Sequence, residues 1–372
     1  MKTSICDLLG IDLPIVAFSH CRDVVAEVTK AGGCGVLGAA LMSPEELEVE
    51  MTWLDEQVGG RPYGLDLIVP NAFAGKGTTS TEADVPAHIR DFVAGILRRH
   101  DMDPDQIPTT PMASEESLSE AYAGEMLQIA LKHPLALIAN ALGTPPPIML
   151  EMAREANVPV GALVGTKKHA AAQVAAGVDF IVAQGSEAGG HTGQVSTMVL
   201  VPEVVSHLKQ LGSNVPVLAA GGIVTGAQIA ASIAMGAAGA WTGSVWLTTH
   251  EAETAPYTKQ RMLEASSADT VRSRFRTGKP SRQLRSEWHA EWEAEGSPAA
   301  LPMPLMGYVS EPPLKRADVL AASGHEGAKR LSTYWVGQGV GLMNNAKSVQ
   351  QVVGDMIEDY LEAIDRLNGT IE

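Results

Sequence analysis

His191 is the residue of this chain whose setting most suggests chemistry, because imidazole exchanges protons near neutral pH. It lies in Gln184-Gly-Ser-Glu-Ala-Gly-Gly-His191-Thr-Gly193, directly after the apolar run Asp179–Ala183. Glycines at this density form poor helix and poor strand, but they let backbone N–H groups approach a ligand closely. The pattern predicts a ligand-binding loop that carries a candidate proton-transfer residue. The alternative is a histidine that only hydrogen-bonds the bound ligand.

Two more glycine turns follow apolar runs later in the chain. Gly221-Gly222 comes after Val215–Ala219, and Gly243-Ser244 comes after Ala238–Thr242. In a β/α barrel, phosphate is often held by the turns after the seventh and eighth strands, where backbone N–H groups and helix dipoles favour an anion. The turns therefore predict a phosphate site. Glycines that end buried strands for packing reasons alone are the alternative.

Eight alternating strand and helix patterns are available to position these turns. The predicted strands are Leu13–Phe18, Gly35–Gly38, Tyr63–Val69, Leu135–Ala139, Val158–Val164, Asp179–Ala183, Val215–Ala219 and Ala238–Thr242. Repeated strand–helix units favour a parallel sheet covered by helices, and eight of them favour an α/β fold of the TIM-like (β/α)8 barrel type.

The repeat is interrupted twice, which predicts insertions after the third and the eighth strand. Residues 1–250 are expected to form the barrel, with the first insertion at about 72–133. Residues 251–335 are expected to form a helical cap. Residues 336–372 return to the barrel and contain the amphipathic pattern Ala346–Leu367, which predicts a C-terminal helix packed on it.

Composition narrows the possible partners. The net charge is −16 from 27 basic and 43 acidic residues, which disfavours nucleic acid and anionic membrane surfaces. The three cysteines, Cys6, Cys21 and Cys34, form no CxxC pair, so neither a disulfide framework nor a metal site is expected. The N-terminus lacks the apolar core of a signal peptide. We expect a cytoplasmic monomer or homodimer that acts on a small molecule.

Several segments together resemble the nitronate monooxygenase family, also called 2-nitropropane dioxygenases. They are the Gln184–Gly193 loop, Gly33-Cys-Gly-Val-Leu-Gly38, Ala219-Ala-Gly-Gly-Ile223 and Gly337-Gln-Gly-Val-Gly341. The resemblance covers most of the barrel, and the wider group includes FMN-dependent quinone and enoyl reductases. No GxGxxG fingerprint follows the first predicted strand, so a Rossmann NAD domain is disfavoured.

The resemblance implies non-covalent FMN in the barrel and His191 as the catalytic base that takes the acidic proton beside a nitro group. Ala17 and Phe18 would lie beside the flavin ring, and Asn71 and Gln184 would hydrogen-bond its polar edge. Gln338 and Gly339 would close over it. The residues implied at the ribityl phosphate are Gly189, Gly190, Gly221, Gly222, Gly243 and Ser244.

The loop after the first strand departs from the family pattern. Relatives that oxidise nitronates usually carry Ala-Pro-Met, whereas this chain has Ala17-Phe-Ser-His-Cys-Arg-Asp23. His20 and Arg22 are therefore candidate substrate-binding residues, and Lys167 is a third because it follows the fifth strand. Ion pairs with nearby acids are the alternative for Arg22, and a solvated helix start is the alternative for Lys167.

The first functional hypothesis is an FMN-dependent oxidation of alkyl nitronates or nitroalkanes by O2, with His191 as base. The second is an NAD(P)H-dependent flavin reductase that acts on an activated double bond, such as a CoA ester, or on a quinone. The third is a non-catalytic barrel that binds a phosphorylated metabolite.

Overall fold

Eight parallel strands close into a barrel in the computed structural model, which describes residues 1–40, 42–67, 81–107, 120–140 and 143–371. The first strand pairs with both the second and the last, which closes the ring. The barrel strands are β1 (Ile15–Ser19), β2 (Cys34–Gly38), β3 (Tyr63–Leu67), β4 (Leu135–Asn140), β5 (Val160–Val164), β6 (Phe180–Gln184), β8 (Val217–Ala220) and β9 (Gly239–Thr242).

The predicted barrel is confirmed, and each predicted strand overlaps an observed one. Five of the strands begin one or two residues later than predicted, and three of these start directly after Pro14, Pro159 and Pro216. Proline has no backbone N–H to donate to a neighbouring strand, so regular pairing starts at the next residue. The apolar pattern alone placed these prolines inside the strands.

Helices surround the barrel and also build a separate layer over one end of it. Those that alternate with the strands are α2 (Arg22–Lys30), α3 (Pro44–Gln57), α5 (Glu120–Ala130), α6 (Pro147–Glu155), α7 (Lys167–Ala176), α8 (Thr197–Gln210), α9 (Gly226–Ala234) and α14 (Val349–Asn368). The others are α1 (Ser4–Leu9), α4 (Ala87–Arg99), α10 (Pro256–Glu264), α11 (Glu287–Glu293), α12 (Leu305–Ala322) and α13 (Glu326–Leu331). No helix within these described stretches is long and apolar enough to cross a membrane.

Side chains alternate between two buried layers along each barrel strand. In β1, Ile15 and Ala17 belong to the large cluster between strands and helices, whereas Val16 and Phe18 belong to the barrel interior. The interior is filled by side chains such as that of Phe180. Helix α1 closes the amino-terminal end of the barrel with Ile5, which is fully buried in the same interior cluster. The carboxyl ends of the strands are left to form a site.

The layer over the carboxyl ends contains a second, antiparallel sheet. Strand β10 (Thr270–Ser273) pairs with β11 (Ser281–Leu284), and β11 pairs with the short β7 (Gly190–His191). The region 251–335 was expected to be helical, and this expectation was incomplete. Both missed strands are rich in Ser, Thr, Arg and Gln, so they lack the apolar runs that reveal the barrel strands.

Helix α4 joins helices α11 and α12 in one hydrophobic core. Ile89 and Val93 of α4 pack in one cluster with Trp288 and Trp292 of α11 and Leu314 of α12. Segments from either side of β4 thus share one core, and we call this unit the cap. The cap brings β11 alongside the loop that carries His191.

Candidate active site

The three glycine turns lie together at the carboxyl ends of β6, β8 and β9, and the segment after Val336 joins them. The Gln338 backbone N–H donates to the Glu187 carbonyl oxygen at 2.8 Å. The Gly337 N–H donates to Ser244 Oγ, also at 2.8 Å. Residues more than 90 positions apart in sequence therefore form one surface, which the apolar pattern of the strands could not specify.

Close backbone contacts explain why several of these positions are glycine. A Cβ on Gly339 would stand 2.9 Å from the Gly222 carbonyl oxygen. A Cβ on Gly189 would stand 2.9 Å from the Gly337 nitrogen. Real Cβ atoms do not approach backbone so closely, so packing between the turns accounts for these glycines without a ligand.

Other glycines of the same surface are not explained by close packing. Gly190 has φ +75° and a Cβ there would meet no atom within 4 Å. Gly243 has a negative φ and would also meet nothing within 4 Å. The backbone at these two positions therefore faces open space at the barrel mouth. Open space beside the backbone would let a phosphate approach Gly243, whereas the Gly190 backbone is already paired with Arg282 of β11.

Glu187 anchors the loop between Gln184 and His191, a role that sequence reasoning missed. Its Oε2 accepts from the Thr197 backbone N–H at 2.8 Å and lies 3.0 Å from Thr197 Oγ1. Arg282 of β11 adds a second anchor, because its Nε donates to the Ser186 carbonyl oxygen at 3.0 Å. An acid shortly before the glycine pair was the only sequence signal for this anchor.

His191 stands on β7 with its ring exposed at the mouth of the site. Its backbone is held by β11 in register with Ser281. Its Nε2 lies 2.8 Å from Thr277 Oγ1, and its ring centroid lies 6.0 Å from that of Trp335. The predicted base is therefore fixed by cap residues that come 86 or more positions later, and neither partner was predicted.

The surroundings of His191 favour its neutral form. Although the residue is exposed, the protein around it limits hydration, and this is the largest cause of a lowered pKa. The positive charge of Lys279 lowers the pKa further, whereas Glu311 acts in the opposite direction. A neutral imidazole can accept a proton at pH 7.

Residues of the first strand take different positions from one another. The Ala17 side chain faces the helices, so only its backbone is available to a ligand in the barrel. Phe18 faces the interior and makes an edge-to-face contact with His20 at 5.1 Å between centroids. His20 Nδ1 lies 2.8 Å from the Gly38 carbonyl oxygen. His20 is thus tied to the end of β2.

Arg22 and Lys167 already have protein partners. Arg22 forms an ion pair with Glu50 at 3.1 Å and stacks on Trp53 at 4.4 Å from the ring centroid. Lys167 forms an exposed ion pair with Glu203 at 3.0 Å. These contacts match the ion-pair alternative for Arg22 and give Lys167 a surface role. A role in substrate binding stays a prediction for both residues.

Cys21 is buried beside the site and is poorly suited to nucleophilic chemistry. Its Sγ donates to the Glu251 carbonyl oxygen at 3.2 Å. Burial is the main cause of a raised pKa, which keeps the group a thiol at neutral pH. Its sulfur and the carboxylate oxygens of Asp23 and Glu253 lie within 4.8 Å of one another. A protonated thiol is a weak metal ligand, so this grouping carries no assignment here.

Gln184 ends β6, where it pairs with Ala220 of β8 in the barrel. It continues the interior-facing series that includes Phe180 and Val182, so its amide lies at the top of the barrel interior. Asn71, its predicted partner at the flavin edge, lies outside the described residues.

A cavity of about 400 Å³ lies in the cap, apart from the predicted site residues that the structure describes. Tyr257, Arg261, Arg285 and Arg330 are among its lining residues. Two of the cations are neutralised locally, since Arg330 pairs with Glu287 at 3.2 Å and Arg285 pairs with an exposed acid. None of the described residues that line the cavity belongs to the surface that the glycine turns form.

The site combines a closed β/α barrel, glycine turns after its last strands and an exposed histidine beside them. This combination is typical of barrel enzymes that hold a phosphorylated cofactor. The nitronate monooxygenase family model matches residues 5–359. The chain belongs to the nitronate monooxygenase family, and it is a flavin-dependent oxidoreductase of the FMN-using kind. The resemblance seen in the sequence is thereby confirmed, and the non-catalytic alternative is set aside.

Individual relatives agree with this assignment. A protein of Mycobacterium tuberculosis, Rv1533, whose name describes it as a monooxygenase, is 47% identical over 389 aligned positions that cover 100% of both chains. The nitroalkane oxidase of Streptomyces ansochromogenes is 26% identical, with TM-score 0.78 over 98% of this chain and 99% of that one. FabK from Thermotoga maritima is 25% identical, with TM-score 0.73 over 100% and 99%.

Proposed function

We propose that the protein oxidises alkyl nitronates and nitroalkanes with O2, using FMN at the barrel mouth and His191 as the base. The observation that carries the proposal is the position of His191, exposed beside the glycine turns and favoured in its neutral form. The similarity to a solved nitroalkane oxidase supports the substrate class.

The residues present suit an FMN phosphate. Gly190 and Gly243 present backbone without a side chain toward open space, and Ser244 follows at the start of a 3-10 helix. The Gly221-Gly222 turn has φ values of +108° and +72°, which L side chains rarely adopt. Gln184 would meet the polar edge of the flavin from the barrel interior. When bound, FMN would carry electrons from the substrate to O2.

His191 would act on the acidic C–H group next to the nitro group. Its ring nitrogen takes the proton, and the C–H electron pair moves onto the nitro group to give an anionic nitronate. A preformed nitronate needs no such step. His191 should therefore matter more for a neutral nitroalkane than for its nitronate.

Anaerobic absorbance spectra of the purified flavoprotein test the proposal. Addition of an alkyl nitronate should bleach the flavin, and readmission of O2 should restore its colour. A nitroalkane should do the same in the wild type but far more slowly in His191→Gln. A fully loaded flavoprotein that ignores every nitronate offered would contradict the proposed substrate class.

The second candidate is an NAD(P)H-dependent reductase of an activated double bond or a quinone. The loop Phe18–Asp23 favours it, because Phe18 and Ser19 stand where relatives have Pro-Met, and His20, the next residue, is tied to Gly38. NADH and NADPH added in turn under anaerobic conditions separate the two candidates. Rapid bleaching by either nucleotide would support the reductase, whereas a flavin that stays oxidised with both would count against it.

A further inference from the structure

Thr277 is the polar side chain that holds the ring of His191. It lies in the turn between β10 and β11, and its Oγ1 is 2.8 Å from His191 Nε2. The same oxygen lies 3.2 Å from the Lys279 carbonyl oxygen and 3.3 Å from the Lys279 nitrogen. Three polar atoms thus surround one hydroxyl group.

A count of protons decides the direction of each hydrogen bond. A threonine hydroxyl has one proton to donate and two lone pairs to accept with. A carbonyl oxygen can only accept, so the contact with the Lys279 oxygen uses the hydroxyl proton. The Lys279 N–H occupies one lone pair. One lone pair is left for His191 Nε2, and an Nε2–H group that donates to it would complete the set of three contacts.

We propose that Thr277 is a positioning residue that holds neutral His191 as the Nε2–H tautomer and leaves Nδ1 as the nitrogen that accepts the substrate proton. The role in turnover rests on the proposed function, whereas the tautomer assignment does not. Within the described parts of the chain, no hydrogen bond engages His191 Nδ1. The charged groups that act on the ring are Lys279 from the same turn and Glu311 from α12.

Nitrogen NMR of the holoprotein tests the tautomer directly. Two-bond proton–nitrogen correlations of ¹⁵N-histidine-labelled protein distinguish Nε2–H from Nδ1–H, and the signals of His191 are those lost in His191→Gln. The Nε2–H pattern is expected in the wild type and in Thr277→Ser, which keeps the hydroxyl. Thr277→Val has the same shape without it and should show a mixture of tautomers.

An Nδ1–H pattern in the wild type would overturn the proposal, and so would an unchanged Nε2–H pattern in Thr277→Val. These outcomes do not depend on the substrate, so they stay informative if nitronates prove not to react. Thr277→Ser serves as the control for folding and for the size of the side chain.

Kinetics test the consequence for proton transfer. For a neutral nitroalkane, kcat/KM should fall about 10-fold or more in Thr277→Val, the size of effect seen when metal-ligating histidines lose the group that fixes their other ring nitrogen. Thr277→Ser should restore it. Turnover of the preformed nitronate should change by less than about twofold. An equal loss with both substrates would show that Thr277 acts on the site as a whole and would overturn its positioning role.

Discussion

At the scale of single residues, the lowered pKa of His191 fixes the direction of the pH dependence. The neutral ring is the active base. The value of kcat/KM for a neutral nitroalkane should therefore not depend on pH near 7 and should fall as the pH drops through the pKa of His191. Because the pKa is lowered, the midpoint should lie below about 6.5. His191→Gln should remove this limb and cost roughly 10²–10⁴-fold.

Initial rates measured between pH 5 and 8 with a nitroalkane, and separately with its nitronate, check this prediction. The nitronate serves as the internal control because its proton is already gone. A midpoint well above that of free histidine, or a profile unchanged in His191→Gln, would contradict the role of His191 as base.

The sequence could predict which residues gather at the site but only part of what they do. Glycines after apolar runs predict loops at the carboxyl ends of strands, and those turns do lie together. Thr277 could not be predicted in the same way, because a threonine beside a glycine in a polar segment is typical of any surface turn. Its importance depends on pairing between β11 and β7, segments about 90 positions apart.

At the scale of elements, burial explains which strands could be predicted from the sequence. The barrel strands are buried on both sides, so they appear as continuous apolar runs such as Phe180–Ala183. Strands β10 and β11 owe their order to pairing and to polar contacts such as that between Arg282 and Thr270 at 3.0 Å. The local amino-acid composition does not predict such contacts.

The ion pair of Arg276 and Glu311 ties the turn between β10 and β11 to α12. Arg276 is buried, donates to Glu311 at 2.7 Å and stacks over Trp335 at 4.2 Å from the ring centroid. Glu311→Gln leaves this guanidinium without its counter-charge and should lower the free energy of unfolding by about 1–3 kcal/mol. It should also lower the pKa of His191 further, because Glu311 raises it.

Urea unfolding and NMR titration of His191 check the two effects together. Glu293→Gln is the matched control, because Glu293 pairs with Arg285 at the surface and should contribute about 0–1 kcal/mol. Equal destabilisation by the two variants would show that burial of Arg276 is unimportant.

The C-terminal helix docks through a glycine contact. Gly226 begins α9, and a Cβ there would stand 1.8 Å from the Met356 carbonyl oxygen of α14. Gly226→Ala must push the two helices apart and should destabilise the fold by about 1–3 kcal/mol. A methyl group added at Gly354, within α14, would meet no atom within 4 Å, so Gly354→Ala should stabilise by about 0.5–1 kcal/mol.

Thermal and urea unfolding of both alanine variants decide the matter, since the chemical change is identical and only the surroundings differ. The free energy of unfolding should fall in Gly226→Ala and rise in Gly354→Ala. Stabilisation by both variants would mean that α14 is not packed closely on α9.

At the scale of the whole molecule, the barrel and the cap have separate hydrophobic cores. The two units meet at the site. One cluster lies between the barrel strands and their helices, and another joins α4 with α11 and α12. His191 and Thr277 lie at the contact between β7 and β11 where the two units join. The proposed proton-transfer geometry therefore depends on the cap being in place, although the glycine turns belong to the barrel.

FMN bound at the proposed site should stabilise the molecule by mass action. At a concentration 100-fold above its Kd, a ligand that binds only the folded state adds about 2.7 kcal/mol, which for 372 residues corresponds to a rise in Tm of roughly 3–4 °C. Gly243→Ala places a methyl group where no protein atom lies within 4 Å. It should leave the Tm of the flavin-free protein nearly unchanged but reduce the rise that FMN produces.

Riboflavin, which lacks the phosphate, separates the phosphate contact from contacts with the ring. If Gly243 faces the phosphate, Gly243→Ala should weaken FMN binding and leave riboflavin binding nearly unchanged in a fluorescence titration. Gly354→Ala provides the control for a methyl group added in open space away from the site. An equal loss of affinity for both flavins would place Gly243 beside the ring, and an unchanged FMN affinity would remove it from the binding surface.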